Sequence, residues 1–351
     1  MNNPKRVTIK EVARLAGVSV QTVSRVINDR PDVASDTRQR VQGLIDELGY
    51  QPSALARSLI QQRSYTLGVV TAGLKYIGPS RTLNGIISEA ERSGYSLLLK
   101  ELASYKSVTA EPLLEALLSY HVDGIIWAVP EIGDNHEWLK ELLPDIPVPL
   151  AFLTMPAQSN LLTVSFNNYA GGRLATQHLL EQGYRRISHI TGPLDWWESR
   201  QRKDGWRDAL LSAGLEPLED HWAEGNWSSA SGEQAFLKLL ASYPGMDAVF
   251  AGNDQMALAV LQLACRNGLR VPEDLGVVGF DGLDETPYYW PPLTTIFQNQ
   301  HRLGCTAVEE IIRVIEMRYA GEPSTQPRAI VLEPELILRA SSQKLSPIMR
   351  T

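Results

Sequence analysis

Between Ile9 and Leu48 apolar residues recur at steps of three and four, whereas from Tyr65 onward they arrive as short unbroken runs separated by amphipathic stretches. The first rhythm predicts helices and the second predicts buried strands alternating with helices. Thr8-Ile9-Lys10-Glu11 has capping-box form, so a helix is expected from Ile9 to about Ala16. Gly17 permits a tight turn, and Ser19 is placed to cap a second helix, Val20 to Asn28, with Val23, Val26 and Ile27 inward. A third, Asp36 to Leu48, puts Val41, Leu44, Ile45 and Leu48 on one face and stops at Gly49. The pattern is helix-turn-helix with a third helix closing a minimal core. After Tyr50, the run Gln51-Pro52-Ser53-Ala54-Leu55-Ala56-Arg57-Ser58-Leu59-Ile60 predicts one short helix. At roughly eight residues it is below the ~12–15 an isolated helix needs, so it should order only when packed by DNA and a partner chain.

Farther on, Thr66–Ala72, Ser96–Glu101, Asp123–Val129, Pro149–Leu153, Arg186–Thr191, Ala248–Gly252 and Leu275–Asp281 read as strands, many apolar throughout as parallel strands buried on both faces should be. Helices are expected near 80–93, 110–120, 168–182, 200–213, 229–241, 253–267 and 300–319. This alternation predicts two doubly wound α/β lobes, with the chain crossing between them near 154–163, 283–293 and 323–327. Ligands of such sheets lie at the carboxyl ends of the strands, here facing an interlobe cleft. The expected division is a headpiece over 1–50, a hinge over 51–62, a two-lobed body over 63–340 and a disordered tail over 341–351.

Charge sharpens that division. The chain of 351 residues carries a net charge of -7, but residues 1–62 hold nine Lys/Arg against six Asp/Glu. A basic head on an acidic body suits phosphate contact by the head alone. No stretch reaches the roughly 18 apolar residues of a membrane helix, and the start MNNPKRVTIKEV has no apolar export region, so a cytoplasmic location with no membrane partner is expected. The two cysteines, Cys265 and Cys305, have no metal-ligand spacing and read as small buried residues; no metal or cofactor is expected. Nucleophile elbows, phosphate loops and His-Glu-x-x-His are all absent from the sequence, which argues against an enzyme.

VTIKEVARLAGVSVQTVSRVIN (Val7–Asn28) followed by TRQRVQGLIDELGYQPSALARSL (Thr37–Leu59) strongly resembles the headpiece and hinge of the lac repressor/gal repressor family. HITGPL (His189–Leu194), SRQRKDGW (Ser199–Trp206), AGNDQMALAV (Ala251–Val260), LGVVGFDG (Leu275–Gly282) and PPLTTI (Pro291–Ile296) extend the resemblance through the body. It implies an all-α headpiece joined to a periplasmic-binding-protein-like effector domain, and a repressor of carbohydrate-utilisation genes. Val20, Gln21 and Arg25 take the base-reading positions of the recognition helix. Their chemistry agrees, since Gln pairs with an adenine edge, Arg with a guanine edge, and Val offers apolar contact. Thr8, Ser19, Ser24, Asn28 and Thr37 resemble phosphate or positioning contacts, or are caps and turn residues. Leu59 resembles a minor-groove wedge, and Ala56 is small enough to let two hinge helices approach. Reading a palindromic operator requires a homodimer.

For the effector, Arg202, Asn253 and Asp281 match positions that bind sugar hydroxyls, Trp227 an aromatic that stacks on a sugar ring, and Gln298 a cleft position. Trp196-Trp197, Trp127 and Tyr288-Tyr289-Trp290 are further aromatics whose flat faces suit a pyranose, and Trp197 joins the candidate site. Thr154 stands where several sugar-binding relatives have aspartate and Ala128 where some have asparagine; Glu131, Glu198 and Glu91 are candidate substitutes. A di- or oligosaccharide inducer is the preferred reading. The alternatives are a corepressor of purine-like or phosphorylated character, and a solute-binding protein without DNA function.

Overall fold

The computed structural model describes residues 7–27, 29–50, 63–102, 110–158, 160–322 and 328–344. They fall into two compact units divided between Tyr65 and Thr66. In the first, α1 (Ile9–Ala16), α2 (Val20–Ile27) and α3 (Ser35–Glu47) enclose Val12, Ala13, Ala16, Val23, Val26, Val41 and Ile45. Gly17 takes the left-handed turn (φ 64°) that a side chain would resist. Ser19 caps α2, its Oγ accepting from Thr22 N at 3.0 Å. Thr8 departs from the predicted capping box: it precedes α1 in extended backbone, but its side chain makes no cap bond. Asn28, Ala56 and Leu59 lie outside the described residues.

The second unit contains two six-stranded sheets. The first has the order β11-β5-β4-β3-β1-β2, formed by β1 (Thr66–Ala72), β2 (Ser96–Leu102), β3 (Gly124–Ala128), β4 (Leu150–Leu153), β5 (Leu162–Phe166) and β11 (Ala329–Leu332). The second has the order β12-β10-β9-β8-β6-β7, from β6 (Ile187–Thr191), β7 (Trp222–Glu224), β8 (Ala248–Ala251), β9 (Gly276–Asp281), β10 (Thr294–Phe297) and β12 (Glu335–Ile337). All pairs are parallel except β10 with β12. Helices α4 (Ile77–Arg92), α5 (Ala110–Ser119), the short α6 (Leu139–Leu142) and α11 (Gln300–Tyr319) belong to the first lobe. The second lobe holds α7 (Asn168–Glu181), α8 (Trp197–Ser212), α9 (Ser229–Ser242) and α10 (Asp254–Arg266). Each sheet is covered on both faces, which is why its strands read as apolar runs.

The crossings differ from expectation. The chain leaves the first lobe after β5, at Asn167, rather than over 154–163. It returns after β10, at Gln298–Asn299, rather than over 283–293. The third falls between β11 and β12, near Glu333; residues 323–327 lie outside the described residues. Residues 154–158 and 283–293 stay within their own lobes, since a transfer requires only that one strand end and an element of the other lobe begin. Both returning helices are capped alike, Asn167 Oδ1 accepting from Ala170 N and Asn299 Oδ1 from Arg302 N. Each then crosses a neighbour at glycines. A Cβ on Gly172 would sit 2.2 Å from Arg202 O and one on Gly205 2.2 Å from Tyr169 O; in the other lobe Gly85 faces His301 O at 2.0 Å and Gly304 faces Thr82 O at 2.2 Å. Only hydrogen fits at these four positions.

Two smaller expectations fail. Cys265 is exposed at the end of α10, because its helix face turns to solvent, while Cys305 is buried. The tail assigned to disorder begins with packed residues: Ser341 and Ser342 are fully buried, Ser341 Oγ donating to Val277 O at 2.6 Å. No helix among the described residues is long and apolar enough to cross a membrane.

Candidate functional site

The carboxyl ends of both sheets face one cleft, the place where sheets of this kind take small molecules. The first lobe contributes Tyr76 and Thr82, the strand ends Ala128, Leu153, Thr154 and Phe166, and Gln300. The second contributes Asn168, Trp196, Glu198, Arg202, Trp227, Asn253, Asp281 and Gln298.

Arg202 is the node of the polar wall. It is buried on α8, with its guanidinium 3.8 Å from the Phe280 ring centroid and 5.4 Å from that of Trp227. Nε donates to Asn168 Oδ1 (2.9 Å), Nη1 to Gly252 O (2.6 Å) and Asp281 Oδ1 (3.4 Å), and Nη2 to Gln298 Oε1 (3.3 Å). Gln298 Nε2 also donates to Asn168 Oδ1 at 3.1 Å. Asn168 and Gln298 stand at the first two crossings, so Arg202 fastens the points where the chain passes between lobes. Four of the five guanidinium N–H groups are thus engaged within the protein. Burial raises the Asp281 carboxyl above its ordinary range, against the pull of Arg202.

Asn253 performs two structural tasks. Its Oδ1 caps α10 by accepting from Met256 N (2.9 Å), and its Nδ2 donates to Trp227 O (2.9 Å). That bond holds Trp227 in a left-handed backbone (φ 72°), which costs free energy for a bulky residue and persists only where neighbours enforce it. The indole needs Gly192 beside it, where a Cβ would lie 2.1 Å from the ring. Trp227 and Trp196 meet edge-on at 5.7 Å, and Trp196 and Tyr76 at 6.1 Å, building an aromatic wall from both lobes.

Of the residues proposed from sequence, Arg202, Trp227, Asn253, Asp281 and Gln298 come together in the cleft. Trp197 does not line it; being the first residue of α8, its backbone N bonds Glu131 O while the preceding Trp196 turns in. Trp127 is fully buried in the core, and Tyr288 and Trp290 are 87% and 88% exposed. Asn168, Tyr76 and Trp196 complete the site. The doubled asparagine after β5 was the signal for Asn168: one caps the helix and the other remains for Arg202.

In the headpiece, Val20, Gln21 and Arg25 are exposed on α2, with Arg25 3.4 Å from Asp32. Thr8 and Ser19 are exposed; Ser24 and Thr37 are half-buried. Gln21 and Arg25 thus give α2 a polar outer face beside the exposed Val20, over the apolar core.

Residues 8–53 match bacterial regulatory proteins of the lacI family, and residues 176–342 match the periplasmic binding protein-like domain. The ribose operon repressor of Escherichia coli (strain K12) is 35% identical over 95% of this chain and 99% of its own length. The chain belongs to the lacI family. Among solved structures, the lac repressor dimer bound to operator and the anti-inducer ONPF matches with a TM-score of 0.85 at 31% identity, covering 97% of this chain and 100% of that one. The transcriptional regulator CelR–cellobiose complex matches at 0.70 and 33%, covering 96% and 100%. The family thus accounts for both units, a helix-turn-helix headpiece and a two-sheet α/β body.

Proposed function

We propose that this lacI-family protein is a cytoplasmic repressor, not an enzyme, that grips a palindromic operator as a homodimer and is controlled by an uncharged saccharide in the cleft. The aromatic wall of Tyr76, Trp196 and Trp227 in one cleft with Asp281, Glu198, Asn253 and Gln300 carries the effector assignment. Rings present flat apolar faces to sugar C–H groups while carboxylates and amides take the hydroxyls. Relatives named for ribose and a relative complexed with cellobiose support it. A phosphorylated corepressor suits the lining poorly, since Arg202 is the one cation among its described residues.

Val20, Gln21 and Arg25 are assigned to base edges, and Thr8, Ser19, Ser24, Asn28 and Thr37 to phosphate contacts. Residues 51–62 serve as the hinge, with Leu59 as wedge and Ala56 at the helix contact. The ligand acts by binding one lobe arrangement better than another, since equal affinity would shift nothing. The test is a gel-shift titration on the DNA upstream of the chain's own gene with cellobiose, lactose, ribose and hypoxanthine. A saccharide that changes operator affinity supports the reading; a response to hypoxanthine alone overturns it. Trp227→Ala is expected to weaken saccharide binding by about 0.5–1.5 kcal/mol, read by calorimetric titration. Unchanged affinity would make Trp227 a packing residue only.

A further inference from the structure

One acid in the cleft lies outside the network that Arg202 organises. Glu198 stands in the first turn of α8 and lines the cleft, and its Oε2 has neither exposed surface nor a hydrogen-bond partner. The other candidates for the missing acid are elsewhere: Glu91 is exposed, and Glu131 sits off the lining, 3.6 Å from Arg200. On the opposite lobe the described lining has no carboxylate, and the Thr154 hydroxyl is already committed to Leu153 O at 2.7 Å. The acid therefore enters the cleft from the second lobe instead of the first.

We propose that Glu198 selects the effector, accepting hydrogen bonds from hydroxyls of an uncharged saccharide and, with Asp281, excluding anionic ligands such as sugar phosphates and uronates. This rests on the saccharide reading above. A buried acceptor left unpaired is costly until a donor arrives. Sites built around such a group discriminate strongly against ligands that cannot satisfy it. An anion would meet two carboxyls and a guanidinium with most of its donors spent.

The same geometry makes binding proton-linked. Burial pushes Glu198 up to about 7, opposed by Arg202 on its own helix and reinforced by Asp281 of β9 and Glu131 of the loop after β3. Asp254 of α10, behind Asp281, is pushed up to about 8 by burial, but it accepts from Thr295 Oγ1 and Leu283 N and does not line the cleft. Hydroxyl donors favour the Glu198 carboxylate, so binding releases its proton, and affinity should rise by about tenfold from pH 6 to 8.

The experiment is calorimetric titration of the full chain with cellobiose, lactose, ribose, glucose 6-phosphate and glucuronate at pH 6, 7 and 8, for wild type, Glu198→Gln and Glu198→Asp. An uncharged sugar should bind wild type and neither anion should. Glu198→Gln should weaken that sugar by about tenfold or more and flatten the pH dependence, and Glu198→Asp should keep the dependence. Wild-type affinity and pH dependence in Glu198→Gln, or an anion bound as tightly as the sugar, overturns the Glu198 proposal alone. In the gel-shift titration above, a response to hypoxanthine with none to the three uncharged sugars overturns the saccharide reading, and this proposal with it.

Discussion

Arg202→Ala is expected to remove about 3–5 kcal/mol of stability from the body and to lower its melting temperature by on the order of 10 °C. The substitution takes the arginine donor from Gly252 O and Gln298 Oε1, leaves Asn168 Oδ1 with Gln298 Nε2 alone, and leaves Asp281 without its ion-pair partner. From sequence alone this arginine is a fork for ligand hydroxyls; in the structure it is first a strut between two crossings. Effector response should disappear as well, because the cleft wall rests on it. The loss should deepen with pH. Glu198 and Asp254 are raised to about 7 and about 8 by burial, so between about pH 4 and 8 the folded state holds protons that the unfolded state has released. That contribution stabilises at low pH and is lost as pH rises, and without Arg202 the Glu198 carboxylate loses the cation that offsets its burial. Calorimetric scans of wild type, Arg202→Ala and Arg202→Lys at pH 5 and 8 check this. Lysine keeps the charge but not the fork, so it should recover only part. An unchanged melting temperature for alanine would mean that the network carries no stability.

Gly172→Ala should cost about 1–3 kcal/mol and, unlike most single-methyl additions, should weaken effector binding too. The new Cβ would meet the carbonyl of Arg202, which is backbone and has no rotamer with which to withdraw. Helices α7 and α8 must therefore separate, drawing Asn168 away from the guanidinium. Gly43→Ala is the control: it lies inside α3 with nothing within 4 Å of its Cβ and should gain up to about 1 kcal/mol from helix propensity. Denaturant melts and saccharide titration of both variants would distinguish a crossing without spare room from one that relaxes. If Gly172→Ala matches wild type in both, the close contact is not a constraint.

The sequence showed its long helices and apolar strands because their faces repeat over several turns or residues. The prediction of 300–319 as a helix coincides with α11, and that of Thr66–Ala72 with β1. Strands β7, β10, β11 and β12 have three or four residues each, too few to carry a period. β5 was hidden by its neighbourhood: five buried residues, LTVSF, directly follow a polar loop and directly precede the crossing. Within the cleft, Arg202, Asn253 and Asp281 were accessible through motifs, whereas Tyr76 depends on the approach of two lobes and has no local signature. Trp196 and Trp197 could not be separated from sequence. Which of two adjacent indoles turns inward depends on where α8 starts.

The returning helix α11 also imposes an order on synthesis. The core of the first lobe includes Leu303, Ala307, Val308, Ile311 and Ile315, and β5 waits for β11 as its neighbour, so that lobe stays unfinished until almost the whole chain has left the ribosome. The second lobe, continuous from Asn168 to Phe297 except for β12 and the segment that follows it, can assemble first. Translation from the amino terminus therefore completes the later lobe before the earlier one. Meanwhile the apolar face that α11 will cover, and the open edge of β5, stand exposed for chaperones or for a neighbouring nascent chain.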